Sequence, residues 1–69
     1  MNKILTPHEF REIRMSLGLT QQRMAETLGY EGRAAISQLE NGFRDITPRT
    51  TITMKLLMEK HNDGLAKRT

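Results

Sequence analysis

The sequence predicts an all-α fold, a compact single domain over residues 1–69 with four helices, or four helices and a short fifth turn. Apolar residues recur at the three- and four-residue spacing of a helix face along most of the chain, and no stretch alternates as a half-buried strand would. Threonine-proline pairs begin two of these patterns, and glycines end three of them.

The first helix follows the stretch TPHE at residues 6–9. Its threonine can cap the helix, its proline suits the first helical position, and its glutamate can bond back to the cap. An apolar stripe follows, formed by Phe10, Ile13 and Leu17. Gly18 then supplies a stop, because glycine tolerates a positive φ.

The second and third helices are short and closely spaced. Thr20 opens the second helix, which Gly29 ends. Its inward residues are expected to be Met24, Ala25 and Leu28. The third helix is expected from about residue 33 to 41. Two short helices joined by a tight turn are the ingredients of a helix-turn-helix, which we place at about residues 20–41.

The pair Thr47-Pro48 opens a fourth helix over about residues 48–61, and residues 65–69 are expected to be a frayed tail. Ile52 and Leu56, one turn apart, are predicted to face inward. Three more apolar residues remain on this helix: Met54, Leu57 and Met58. They form either an interface between two copies of the chain or part of a core that a curved helix covers.

Composition excludes several classes of protein. The chain has no cysteine, and its two histidines, His8 and His61, lie far apart, so neither a disulfide framework nor a metal site is expected. No cysteine nucleophile, glycine-rich phosphate loop or carboxylate-histidine set suggests an enzyme or a cofactor. No signal peptide or membrane-spanning run is visible, so a cytoplasmic protein is expected. The net charge of +3 permits a polyanionic partner.

The third helix has a small, amide-bearing face. At ~100° per residue, Ile36, Leu39 and Glu40 share one side of this helix. The opposite side carries Ala34, Ser37, Gln38 and Asn41, flanked by Arg33 and Ala35. The DNA major groove admits an α-helix when no bulky side chain holds its backbone away from the base edges. This face therefore suits entry into the groove, although a solvated helix surface is the plainer alternative.

Four of these side chains are the predicted base readers. Gln38 can pair with adenine through its amide, and Ser37 can bond to several bases. The methyl group of Ala34 can touch a thymine methyl, and Arg33 can reach guanine or a phosphate.

Short motifs recur in order along most of the chain. They are Arg14, LGLTQ at 17–21, Ala25, LG at 28–29 and ISQLENG at 36–42. Their order and spacing resemble the phage repressor and Cro-like helix-turn-helix domains, also called the xenobiotic-response-element family. The resemblance implies a lambda-repressor-like fold and binding to double-stranded DNA.

The resemblance also implies roles for residues outside the reading helix. Gln21 is similar to a phosphate-contacting glutamine at the start of the second helix, where Thr20 and Gln22 join it. Asn41 resembles a phosphate clamp. A further implied contact is an ion pair between Arg14 and Glu40, which would tie the first helix to the end of the third.

The chain departs from the family pattern in two segments. The turn at residues 30–33 is one residue longer than the commonest spacing, which leaves the base-facing register open by a single position. Tyr30 in this turn is expected to pack, or to offer its hydroxyl to a phosphate. The segment FRDITPR at 43–49 is also longer, and its Arg44 and Arg49 would contact phosphates, enter a minor groove or only keep the surface hydrated.

We therefore expect a sequence-specific DNA-binding regulator, a repressor or autoregulator that binds an inverted repeat as a homodimer through Met54, Leu57 and Met58. Phage repressor, antitoxin, restriction-modification controller and anti-CRISPR-associated regulator all remain open. The alternative is a protein-interaction module, such as an antitoxin-like bundle that binds a different protein. Non-specific coating of nucleic acid is a third possibility, which the modest charge disfavours.

Overall fold

The computed structural model describes the backbone of residues 3–67 and the side chains of residues 3–63. Within this range the chain forms four helices: α1 (Pro7–Ser16), α2 (Gln21–Leu28), α3 (Arg33–Asn41) and α4 (Pro48–Lys67). No strand occurs among these residues. The predicted all-α fold of four helices is confirmed.

Three helices begin at the threonines that the sequence suggested. In α1 the hydroxyl of Thr6 accepts a bond from the backbone N–H of Glu9 at 3.1 Å, and the Glu9 carboxylate accepts one from the N–H of Thr6 at 2.9 Å. Thr20 caps α2 and Thr47 caps the start of α4, each accepting from the N–H three residues later. Each cap satisfies a donor that a helix N-terminus otherwise leaves unpaired.

Glycines in the left-handed conformation end both α2 and α3. Gly29 has φ of 81° and ends α2 just before the turn that leads into α3. Gly42 has φ of 80° and ends α3 itself. Residues other than glycine rarely adopt this backbone conformation without strain. The glycines themselves therefore determine where these two helices end.

The core lies where α1, α2 and α3 pack together and α4 closes against α1. Its buried apolar side chains are Leu5, Phe10, Met24, Ala25, Ile36, Leu39, Ile46 and Met54. The N-terminal segment joins this core through a bond from the N–H of Leu5 to the hydroxyl of Thr51 at 3.2 Å. α4 is thereby held to the opposite end of the chain.

The predicted facing of α4 is wrong. Ile52 and Leu56, expected to face inward, are 47% and 51% exposed. The buried face instead runs through Thr51 and Met54, because Thr51 is held by the N–H of Leu5 and the next inward position is three residues later. The outward pair Ile52 and Leu56 is hereafter called the α4 apolar pair.

The assignment of Met54 to a dimer interface is also wrong. Met54 is 0% exposed and belongs to the core, so it has no surface to offer a second copy. Leu57 packs against the same core and is only partly exposed, as is Met58. Two of the three residues predicted for an interface, Met54 and Leu57, therefore pack within the domain.

α4 is longer than predicted. It was expected to end near residue 61, but it continues through Gly64 to Lys67. A glycine inside a helix costs about 1 kcal/mol relative to alanine, which need not end a helix that is already formed. Of the tail expected to fray, residues 65–67 are helical, and residues 68–69 lie outside the described residues.

Candidate nucleic-acid interface

The outer face of α3 presents Arg33, Ala34, Ser37, Gln38 and Asn41 to solvent, Ser37 only in part. The four predicted base readers are all on this face. Ala35 was expected to flank them but is buried against the core side with Ile36 and Leu39. The face is consequently narrower than the sequence suggested, with small side chains at its centre.

Gln38 is a polar group of this face that is free to bind. Its side-chain amide makes no hydrogen bond to any described residue, so it can both donate and accept. Asn41, one turn below Ser37, donates to the Ser37 hydroxyl at 3.3 Å. That contact still leaves one N–H of the Asn41 amide available.

Behind this face, Glu40 is tied to α1 and α2. Arg14 Nε lies 2.6 Å from Glu40 Oε2, and Arg14 Nη2 donates to Oε1 at 3.2 Å. The two side chains are only 13% and 5% exposed. The ion pair that the resemblance implied is thus present, and it neutralises the carboxylate on the helix that would approach DNA.

Gln21 joins the same cluster. Its amide nitrogen donates to Glu40 Oε1 at 3.2 Å, which fixes the side chain at the start of α2. A second N–H on that nitrogen remains for an anion. The Thr20 hydroxyl accepts the cap bond and keeps its own proton, whereas Gln22 donates to the neighbouring Glu26 at 3.1 Å. Each of these three side chains therefore keeps one donor for a phosphate, and Gln21 is the one that a neighbouring helix holds in place.

The two arginines of the loop and of α4 differ in their surroundings. Arg44 Nη1 lies 2.9 Å from Glu31 Oε2, and its guanidinium carbon stands 5.1 Å from the centre of the Tyr30 ring. Arg49 is exposed and makes no ion pair with the described residues. The sequence analysis did not single out Glu31. The signal that could have identified it was an acidic residue in the turn at 30–33 and a basic residue in the segment at 43–49, the two segments that are longer than in the family pattern.

The Glu31 carboxylate favours its charged form. A hydrogen bond from its own backbone N–H lowers its pKa, and the bond from Arg44 lowers it further. Glu31 is therefore ionised at the near-neutral pH of a DNA-binding measurement.

No helix in the described range is long and apolar enough to cross a membrane. Among the same residues, no group of three or more acidic, histidine or cysteine side chains is arranged to hold a metal ion.

Comparison with known protein families gives one result that bears on this surface. A family model described as helix-turn-helix matches residues 10–54, more than half of the chain. The matched segment contains all of α2 and α3, and with them the outer face described above. No curated protein and no solved structure matches the chain.

Proposed function

The chain belongs to the phage repressor and Cro-like helix-turn-helix family of DNA-binding regulators, and on this premise we propose that it is a sequence-specific repressor. It binds an inverted repeat as a homodimer and regulates its own promoter. Occupation of that promoter by the dimer blocks RNA polymerase.

The observation that carries this proposal is the outer face of α3. Ala34 has no side chain beyond Cβ, so the backbone of α3 can come close to the base edges. Gln38 then presents an amide that is free to pair with N6 and N7 of an adenine. Ser37 and Arg33 read the flanking positions.

Phosphate contacts set the orientation of α3 on the duplex. Gln21 and Thr20 stand at the start of α2, where backbone N–H groups favour an anion. Asn41, the last residue of α3, holds a second phosphate. Arg49, exposed near the start of α4, adds an electrostatic contact.

The dimer forms through the α4 apolar pair. Ile52 and Leu56 are one turn apart and about half exposed, so they form a small apolar strip on the outside of the domain. Two copies that pack along this strip place two α3 helices on one side of the duplex, about one DNA turn, ~34 Å, apart. Leu57 and Met58 are also partly exposed, but they lie roughly 100° or more around the helix from this strip.

The test is fluorescence anisotropy with the duplex immediately upstream of this protein's own gene, against a scrambled duplex of equal length and composition, near physiological salt. Tight binding to the first duplex alone is expected. Equal and weak binding to both would contradict the proposal and would favour the protein-interaction alternative, which a pull-down then tests.

A further inference from the structure

We propose that Arg44 is a positioning residue for α3 and not a phosphate contact. It acts through a network of Tyr30, Glu31, Arg44 and Thr50, called here the turn brace. This inference rests on the proposed function, because the helix that the brace positions is the one that reads DNA.

Arg44 reaches from one end of α3 to the other. Its backbone N–H donates to the carbonyl of Gln38 at 3.2 Å, which ties it to the C-terminal turn of the helix. Its side chain contacts Glu31, which lies in the turn before the helix begins. The guanidinium is also held over the Tyr30 ring, so an approaching phosphate would compete with two contacts.

Tyr30 is itself fixed by α4. Its hydroxyl and the Thr50 hydroxyl lie 2.8 Å apart, and Thr47 donates to the same Thr50 oxygen at 3.0 Å. Thr50 is only 8% exposed, so this end of the brace is anchored in the domain. The brace therefore connects the α2–α3 turn, the loop after α3 and the first turn of α4.

The start of α3 depends on such support. Gly32 occupies the N-cap position and provides no side-chain hydrogen bond to the helix. Arg33 and Ala34 follow immediately, so a shift in the turn moves both readers relative to the bases. Displacements of about 1 Å are enough to weaken a binding site. Within this turn, Glu31 lies opposite Arg44.

The first arm of the test measures operator binding against salt for Arg44→Gln, Glu31→Gln and the matched control Arg49→Gln. The slope of log K against log salt is negative, and loss of one phosphate contact reduces its magnitude by about 0.9. We expect that loss for Arg49→Gln and an unchanged slope for Arg44→Gln. Operator variants changed at the base pairs facing Arg33 and Ala34 should be discriminated about three- to tenfold less well by Arg44→Gln, a fraction of one good base contact.

Glu31→Gln separates the two roles by the direction of its effect. If Arg44 contacted phosphate, removing Glu31 would release it, and affinity for operator and scrambled duplex would rise together with a steeper salt slope. The brace predicts instead that the ratio of the two affinities falls. It also predicts that the double variant Glu31→Gln/Arg44→Gln loses no more discrimination than either single variant.

The second arm needs no DNA. Amide hydrogen exchange of the first turn of α3, followed at Ala35, should be several-fold faster in Arg44→Gln than in wild type and unchanged in Arg49→Gln. If the wild type does not prefer its operator, the proposed function fails, while this arm still tests the brace. The inference would be overturned if Arg44→Gln left the amide exchange of Ala35 unchanged and reduced the magnitude of the salt slope by about 0.9.

Discussion

Neighbouring side chains of α3 have opposite tasks because each residue is rotated ~100° from the last. Gln38 points to solvent with its amide unengaged. Glu40, two positions later, is 5% exposed and holds Arg14 and Gln21. A carboxylate that would repel DNA is thus turned inward, while an amide that can pair with a base is turned outward.

Replacement of Gln38 by alanine should cost about 1 to 3 kcal/mol of discrimination at one base pair in each half-site. The reason is the loss of a bidentate amide contact to a single base. Binding to a set of operator variants measures it, with Gln22→Ala as the matched amide control. A loss that is equal on every sequence would assign Gln38 to phosphate.

Glu9 links the stability of α1 to pH. The backbone N–H of Thr6 lowers the pKa of the Glu9 carboxyl, the Thr6 hydroxyl lowers it further, and Lys3 and Lys55 add smaller effects. The unfolded chain therefore takes up this proton more readily, so the stabilisation is present above the ordinary pKa of 4.5 and is lost as pH falls through the folded value.

Glu9→Gln keeps a side chain that can accept the bond from Thr6 but no longer titrates. Melting temperature followed from pH 7 into acid should fall less steeply for this variant than for wild type. Glu59→Gln, an exposed change outside any cap, is the control. Parallel curves for Glu9→Gln and wild type would contradict the expectation.

At the scale of the element, α4 carries apolar residues on both sides. Thr51 and Met54 face the core, while the α4 apolar pair faces solvent. Spacing alone fits either side, because Ile52 and Leu56 are also one turn apart. The choice is made by contacts from distant parts of the chain, above all the bond from Leu5 to Thr51.

Leu56→Glu should yield a folded monomer with much weaker operator binding, because a carboxylate within the α4 apolar pair cannot be buried against the second copy. Sedimentation equilibrium measures the mass, and circular dichroism checks the fold. Met15→Glu is the matched control, since Met15 is a similarly exposed apolar residue on α1. An unchanged sedimentation mass for Leu56→Glu would contradict dimerisation through α4.

At the scale of the whole molecule, the cluster around Arg14 and Glu40 joins three helices. Arg14 comes from α1, Glu40 from α3 and Gln21 from α2, and Arg14 also donates to the carbonyl of Leu19 at 2.8 Å. Their relative positions depend on charged groups that are largely withdrawn from solvent. Such pairs tolerate the loss of one partner poorly.

Glu40→Ala should therefore lower the free energy of unfolding by about 3 to 5 kcal/mol, measured by urea denaturation. Glu26→Ala removes a partner of Arg23 from an exposed pair at 3.4 Å, and it should cost no more than about 1 kcal/mol. Similar losses in the two variants would mean that burial of the Arg14 pair contributes little.

Features set by neighbours in sequence were predictable, and features set by distant contacts were not. The threonine starts and glycine stops depend on a few adjacent residues, and the small face of α3 follows from helical rotation. The ion pair of Arg14 came from a family resemblance, since the partners are 26 residues apart. The brace between Glu31 and Arg44 had no such precedent.

The glycines around α3 also limit how much information one copy can extract from DNA. Nine residues at about 1.5 Å each span roughly 13 Å, or about four base pairs at ~3.4 Å. A given sequence of four base pairs recurs by chance about once in 250 base pairs. A genome offers roughly a million or more competing sites, so a sequence this short does not single out one of them. Two such four-base-pair sequences at a set spacing recur about once in 65,000 base pairs, so the proposed dimer would recognise a far rarer site than a single copy would.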